Sequence, residues 1–172
     1  MQGTVWQKRR GIFVDVQNIF SAIRATYPHA RVNYQALKDF FLQDKECVST
    51  FTAFSSYDPE REEQKRFLMA LALMGYRVIA KPIKRLPSGD VKANMDIEVA
   101  MEVLEVSSSL DEVVIVSGDG DFAVLVSRLV HKGKVVRVMG PDQFSAPELI
   151  QACHEFLSLS RVPGLLEESK EG

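Results

Sequence analysis

The stretch VVIVSGDGDF, Val113 to Phe122, carries a β-branched run straight into two carboxylates, Asp119 and Asp121, spaced by one glycine. Helix capping explains Asp119, whose side chain could accept a first-turn backbone N–H, but it leaves Asp121 without a role. Asp15 ends another apolar run, GIFV, and an aspartate closing a buried strand needs a partner. Asp96 opens the helix-like segment MDIEVAMEVLEV. Four such acids gathered in one crevice would repel one another unless a divalent cation sat among them. An oxygen-only donor set, without histidine or cysteine, points to Mg²⁺ or Mn²⁺. The chemistry open to it is activation of water against a phosphodiester, with the metal neutralising charge on the phosphoryl oxygens.

Several neighbours have two readings. Asn18 either caps the helix that follows Asp15 or belongs to the site. Ser117, just before Gly118, is a hydroxyl that could hold the site together or bind phosphate. Glu98 and Glu102 are i,i+4 partners on one helix face, either as solvated surface or as acids reaching the site from the second turn. The basic stretch Arg61–Lys92 has eight cations against three acids. Within it Lys81, Lys84, Arg85 and Lys92 surround the loop leading to Asp96, so they are candidates for holding phosphates beside the acids. The net charge of −2 excludes binding of nucleic acid by bulk charge alone.

Other chemistries fit less well. His29, His131 and His154 are scattered and matched to no nucleophile motif, which makes them structural or surface residues. Cys47 and Cys153 have neither metal-ligand nor redox spacing and read as reduced thiols in a cytoplasmic protein. The first strand is followed by VDVQN rather than G-x-G-x-x-G, and no glycine-rich loop ends in Lys-Ser or Lys-Thr. A phosphorylated-aspartate enzyme would need a second acid close after Asp15, and Val16-Gln17 supplies none. The apolar runs are far short of a membrane span, and Trp6 among Gln7, Lys8, Arg9 and Arg10 begins no signal-peptide core. Trp6 reads as docked on the body or disordered.

The acids can meet only if the fold brings them to one edge. Strands are expected near residues 11, 47, 76, 112 and 134, alternating with helices near 18–27, 34–43, 58–74, 95–106 and 121–132, and a last helix from about Pro147. This rhythm predicts βαβ units and a mainly parallel sheet covered on both faces, a three-layer α/β/α domain. Ile97, Ala100, Met101 and Leu104 are expected on one face of their helix. In such a sheet, ligands collect beyond the carboxyl ends of strands where strand order reverses. A five-stranded order 3-2-1-4-5 would put Asp15 and Asp119 side by side. Residues 1–10 read as an extension, 11–160 as the domain, and 161–172 as a disordered tail.

Three segments, FVDVQNIF (Phe13–Phe20), KANMDIEVAMEVL (Lys92–Leu104) and VIVSGDGDFAVLVSRLVHKGKVVRVMG (Val114–Gly140), together resemble the NYN domain of the PIN-like superfamily, in its LabA-like branch. APELIQACHEFLSL, Ala146–Leu159, resembles that family's last helix. The resemblance implies a metal-dependent ribonuclease acting on single-stranded or structured RNA. Asp15, Asp96, Asp119 and Asp121 would be its acids, Asn18 the motif asparagine and Glu102 a supporting acid. It also implies departures: Lys92-Ala93 stands where Lys-Gly is usual, and His154 where a late aspartate is usual. Family members of a regulatory kind imply the alternative of an RNA- or protein-binding module that does not cut. Two-fold pairing through helical faces is compatible with so small a domain.

Overall fold

The computed structural model describes residues 6–168. β1 (Lys8–Asp15) leads into α1 (Val16–Thr26), the short β2 (Ala30–Val32) and α2 (Tyr34–Leu42). Then come β3 (Cys47–Tyr57), α3 (Glu62–Leu73), β4 (Arg77–Pro82) and a small ribbon of β5 (Lys84–Arg85) with β6 (Val91–Lys92). α4 (Asp96–Val106), β7 (Glu112–Val116), α5 (Ala123–His131) and β8 (Val135–Gly140) follow. The chain closes with α6 (Pro147–Ala152), β9 (Glu155–Ser158) and β10 (Leu166–Glu168).

The main sheet has six strands, all paired in parallel, in the order β4-β3-β1-β7-β8-β9. This corrects the expected five-stranded sheet of order 3-2-1-4-5. The sixth strand, β9, falls inside the segment expected to be helix through Leu159. α6 stops at Ala152, and the His154 N–H donates to the Val136 carbonyl at 2.9 Å, starting a ladder along β8. Without β9, the edge of β8 would present a row of unpaired backbone groups. The strand also buries Leu157 on one face of the sheet and packs Phe156 on the other.

Both faces of the sheet are covered, which is why its central strands read as apolar runs rather than as alternation. Ile12, Val14, Val114 and Val116 face Ile19 and Ile23 of α1, Leu37 and Phe41 of α2, and Leu71 of α3. Phe13, Val113 and Ile115 face Val99 and Val103 of α4, Leu125 and Leu129 of α5, and Leu149 of α6. The face of α4 differs from expectation. Met95, Val99 and Val103 form the buried stripe, while Ile97 and Met101 are exposed. Apolar residues lie nearly all round this helix, so periodicity does not select a face.

Toward both ends, the described residues are more structured than expected. Lys8–Arg10 belong to β1, and the Arg10 side chain is buried, pairing with Asp44 at 2.8 Å and Glu112 at 3.2 Å. Val162 and Leu165 are buried in the core, and β10 pairs antiparallel with β2. The tail expected to be disordered from residue 161 is therefore packed as far as Glu168, and residues 169–172 lie outside the described residues. Trp6 is exposed rather than docked. Among the described residues no helix is long and apolar enough to cross a membrane.

Candidate metal centre

From β1 the chain builds β3 and β4 on one side, then crosses to β7 on the other. Strand order thus reverses between β1 and β7, which opens a crevice beyond their carboxyl ends. Asp15 is the last residue of β1, Asp119 stands just beyond β7, and Asp96 enters as the first residue of α4. One carboxylate oxygen from each of Asp15, Asp96 and Asp119 lies within 4.8 Å of the other two.

Hydrogen bonds link two of these acids through one shared serine hydroxyl. Asp15 caps α1, accepting the Asn18 N–H on Oδ1 at 3.3 Å. Its Oδ2 accepts from Ser117 Oγ at 3.1 Å, and the same Ser117 Oγ accepts the Asp119 N–H at 3.1 Å. Ser117 is fully buried, so this hydroxyl works inside the protein and is not free to bind phosphate. Asn18 does not cap α1. Its Oδ1 accepts the Gly118 N–H at 2.8 Å, joining the helix after β1 to the loop after β7.

Burial pushes the Asp15 carboxyl up to about 6, and the charges of Asp96 and Asp119 add to that rise while the two hydrogen bonds oppose it. Asp96 is raised as well, first by burial and then by Asp119, Asp121 and Glu98, against a hydrogen bond from Asn94. A pocket that makes its own carboxylates hard to ionise lacks a positive partner. Three converging hard oxygen donors fit a divalent cation of the Mg²⁺ or Mn²⁺ type.

Positions 9–160 match the family model described as "NYN domain". The chain belongs to the NYN domain family. It is LabA-like within that family: it is 28% identical, over 172 aligned positions, to the "Low amplitude and bright protein LabA" of Synechococcus elongatus. That match covers 94% of this chain and 89% of LabA. In fold it is similar to VPA0982 of Vibrio parahaemolyticus, whose crystal structure is described as that of a protein of unknown function. The TM-score is 0.82 at 26% identity, covering 97% of this chain and all of the other, 100%.

In this NYN domain the glycine between the paired acids has a steric cause. Asp119 caps a tight turn over Gly120–Phe122 by accepting the Asp121 N–H at 2.9 Å. A Cβ on Gly120 would come within 2.9 Å of the Ala146 methyl and run into the Glu148 carboxylate. A Cβ on Gly118 would lie 2.9 Å from the Phe144 carbonyl oxygen.

The remaining predicted residues divide. Asp121 is exposed on the rim, near enough for its charge to raise Asp96, but it is not one of the three converging acids. Glu98 pairs with Lys81 at 2.6 Å, which holds its carboxyl below the usual range, and Lys81 also donates to the Asn94 carbonyl at 3.0 Å. Glu102 pairs with Arg77 at the start of β4 and does not join the acids. Arg85 pairs with Asp58 at 2.9 Å. Lys84 and Lys92 face each other across the β5–β6 ribbon, both exposed.

His154 closes the sheet edge, its Nδ1 accepting the Val136 N–H at 3.0 Å. One supporting residue, Asn94, is absent from the sequence-based set. Its Oδ1 accepts the Asp96 N–H at 2.7 Å, and its Nδ2 donates to Asp96 Oδ2 at 3.2 Å. Asn two residues before a helix-opening Asp is the spacing of an Asx turn, and ANMD carries that signal.

Proposed function

We propose that this NYN domain is a divalent-metal-dependent ribonuclease that hydrolyses RNA phosphodiesters. The observation that carries the reading is the convergence of Asp15, Asp96 and Asp119 within 4.8 Å at the sheet's switch point. Those three would hold Mg²⁺ or Mn²⁺, which when bound supplies charge neutralisation at the phosphoryl oxygens and a more acidic water. Ser117 and Asn18 fix the spacing of Asp15 and Asp119 by bonding across the two strands. Asp121, on the rim, is the acid available to orient attacking water. Lys84 and Lys92 stand on the ribbon that leads to Asp96, where they can meet the phosphates of the same strand.

The test is cleavage of single-stranded and structured RNA by purified wild type and Asp119→Asn, in Mg²⁺ and in Mn²⁺. Asn keeps the size of the side chain and can still accept the Asp121 N–H, so the fold should persist while cleavage is lost. Equal cutting by both proteins would place the activity elsewhere. If neither cuts and both bind RNA, the domain is a binding module.

A further inference from the structure

A second concavity opens beside the acids, along the same edge of the sheet. It is a groove of about 440 Å³ between α1, the loop after β8 and the segment after β9. Its floor is aliphatic and belongs to the core: Ile23, Leu159 and Leu165 are all buried. Two aromatic side chains on its wall are half exposed, Tyr27 at 52% and Phe144 at 49%. Asp142 and Gln143 add polar groups beside Phe144. Among the described residues, none that lines it is a lysine or an arginine.

Two elements link the groove to the candidate metal centre. α1 carries Asn18 at the acids and Ala22 in the groove, one helical turn apart, roughly 6 Å. On the other wall, the Gly118 carbonyl accepts the Ala146 N–H at 3.0 Å, which fixes the Phe144–Ala146 segment against the loop that bears Asp119. Phe144 is thus the ring nearest the acids, while Tyr27, nine residues beyond Asn18 and about 13 Å along the helix axis, forms the far wall.

We propose that this groove takes the base of a nucleotide flanking the phosphate held at the acids, stacked against Phe144 and Tyr27. The inference rests on the ribonuclease reading and names the part of the substrate the protein would grip beyond the phosphate. The chemistry of the lining selects a base over the backbone. With no cation among the described residues of its wall and the Asp142 carboxylate present, the groove disfavours phosphate. A carboxylate and an amide instead suit the amino and carbonyl edge of a base. Stacking on aromatic rings requires an unpaired base, so the strand entering here is single-stranded.

The test measures binding rather than cleavage. A short labelled oligoribonucleotide is titrated onto the Asp119→Asn protein in Mn²⁺, alone and carrying Phe144→Ala or Tyr27→Ala. Loss of a stacking ring should weaken binding about tenfold, and Phe144→Tyr should restore most of it. A ribose-phosphate strand of the same length without bases should bind all these proteins alike. Both rings are half exposed, so melting temperatures should hardly change.

The proposal is overturned if the alanine variants bind the base-bearing strand as the parent does. It is overturned equally if they lose the baseless strand to the same degree, or if the parent binds neither strand. The ribonuclease reading fails or stands separately. Cleavage by wild type with ring-independent binding removes only the groove, and ring-dependent binding without any cleavage removes only the nuclease.

Discussion

Asn18 Oδ1 accepts the Gly118 N–H at 2.8 Å, across a sequence separation of 100 residues. The bond ties α1, which follows Asp15, to the loop that carries Asp119. Asn18→Ala leaves a partly buried N–H without its partner, a loss of about 1–3 kcal/mol. Urea denaturation should show that loss, and calorimetry should show weaker Mn²⁺ binding as the two strand ends move independently. Unchanged metal affinity would mean that the acids are positioned without this tie.

Asp15 gives the metal-free protein a defined pH response. Its carboxyl is held at about 6 against an ordinary 3.8, so the folded state binds this proton more tightly than the unfolded chain. The contribution is fully present below about pH 4 and is lost as pH rises through about 6. The full rise corresponds to about 3 kcal/mol. Asp44 and Glu98 are lowered and act in the opposite sense as pH falls, so the comparison must be between variants. With divalent ions chelated, Asp15→Asn should match wild type near pH 4 and exceed it in stability above pH 7. A constant difference across that range would refute a buried, uncompensated Asp15.

The acids at the strand ends are legible in the sequence because their chemistry is local: a carboxylate directly after a buried apolar run must find a partner there. Glu102 is not legible in that way. Asp96 sits at the start of α4, and six residues of helix carry Glu102 about 9 Å along the axis. Crossover helices run opposite to their strands, so that distance leads toward the amino ends of the sheet, where Arg77 begins β4 and pairs with Glu102. The i,i+4 spacing with Glu98 describes a helix face correctly but carries no information about which end of the sheet it will meet. β9 is hidden for a different reason. CHEFLS permits helix or strand, and the free edge of β8, which decides between them, is a property of the assembled sheet.

Gly118 provides a steric test of the same loop. A Cβ there would meet the Phe144 carbonyl oxygen at 2.9 Å and the Ser145 backbone at 3.2 Å. Main chain cannot rotate away as a flexible side chain can, so Gly118→Ala should destabilise by about 1–3 kcal/mol. Because the displaced residue sits between Ser117 and Asp119, Mn²⁺ affinity should fall with it. Wild-type melting and wild-type metal affinity in this variant would show that the loop is looser than the contacts indicate.

The cations around the β5–β6 ribbon are not equivalent, and salt dependence separates them. Lys81 is engaged by Glu98 and Arg85 by Asp58, whereas Lys84 and Lys92 oppose each other with like charge across the ribbon. Facing like charges are unfavourable on their own, and a phosphate strand laid over them removes that cost. Each phosphate contact to single-stranded RNA contributes about 0.7 to the slope of log affinity against log salt. Lys84→Ala with Lys92→Ala should therefore weaken binding at low salt and flatten the slope by about 1.4, alike for different sequences. Arg85→Ala should change it less, since Asp58 already satisfies that guanidinium. A double variant with the parental slope would move the strand off the ribbon. Of the other cations near the sheet, Arg9, Arg10 and Arg24, the exposed Arg9 and Arg24 (its guanidinium 5.5 Å from the Phe20 ring) would then be the next to test, and buried Arg10 would not.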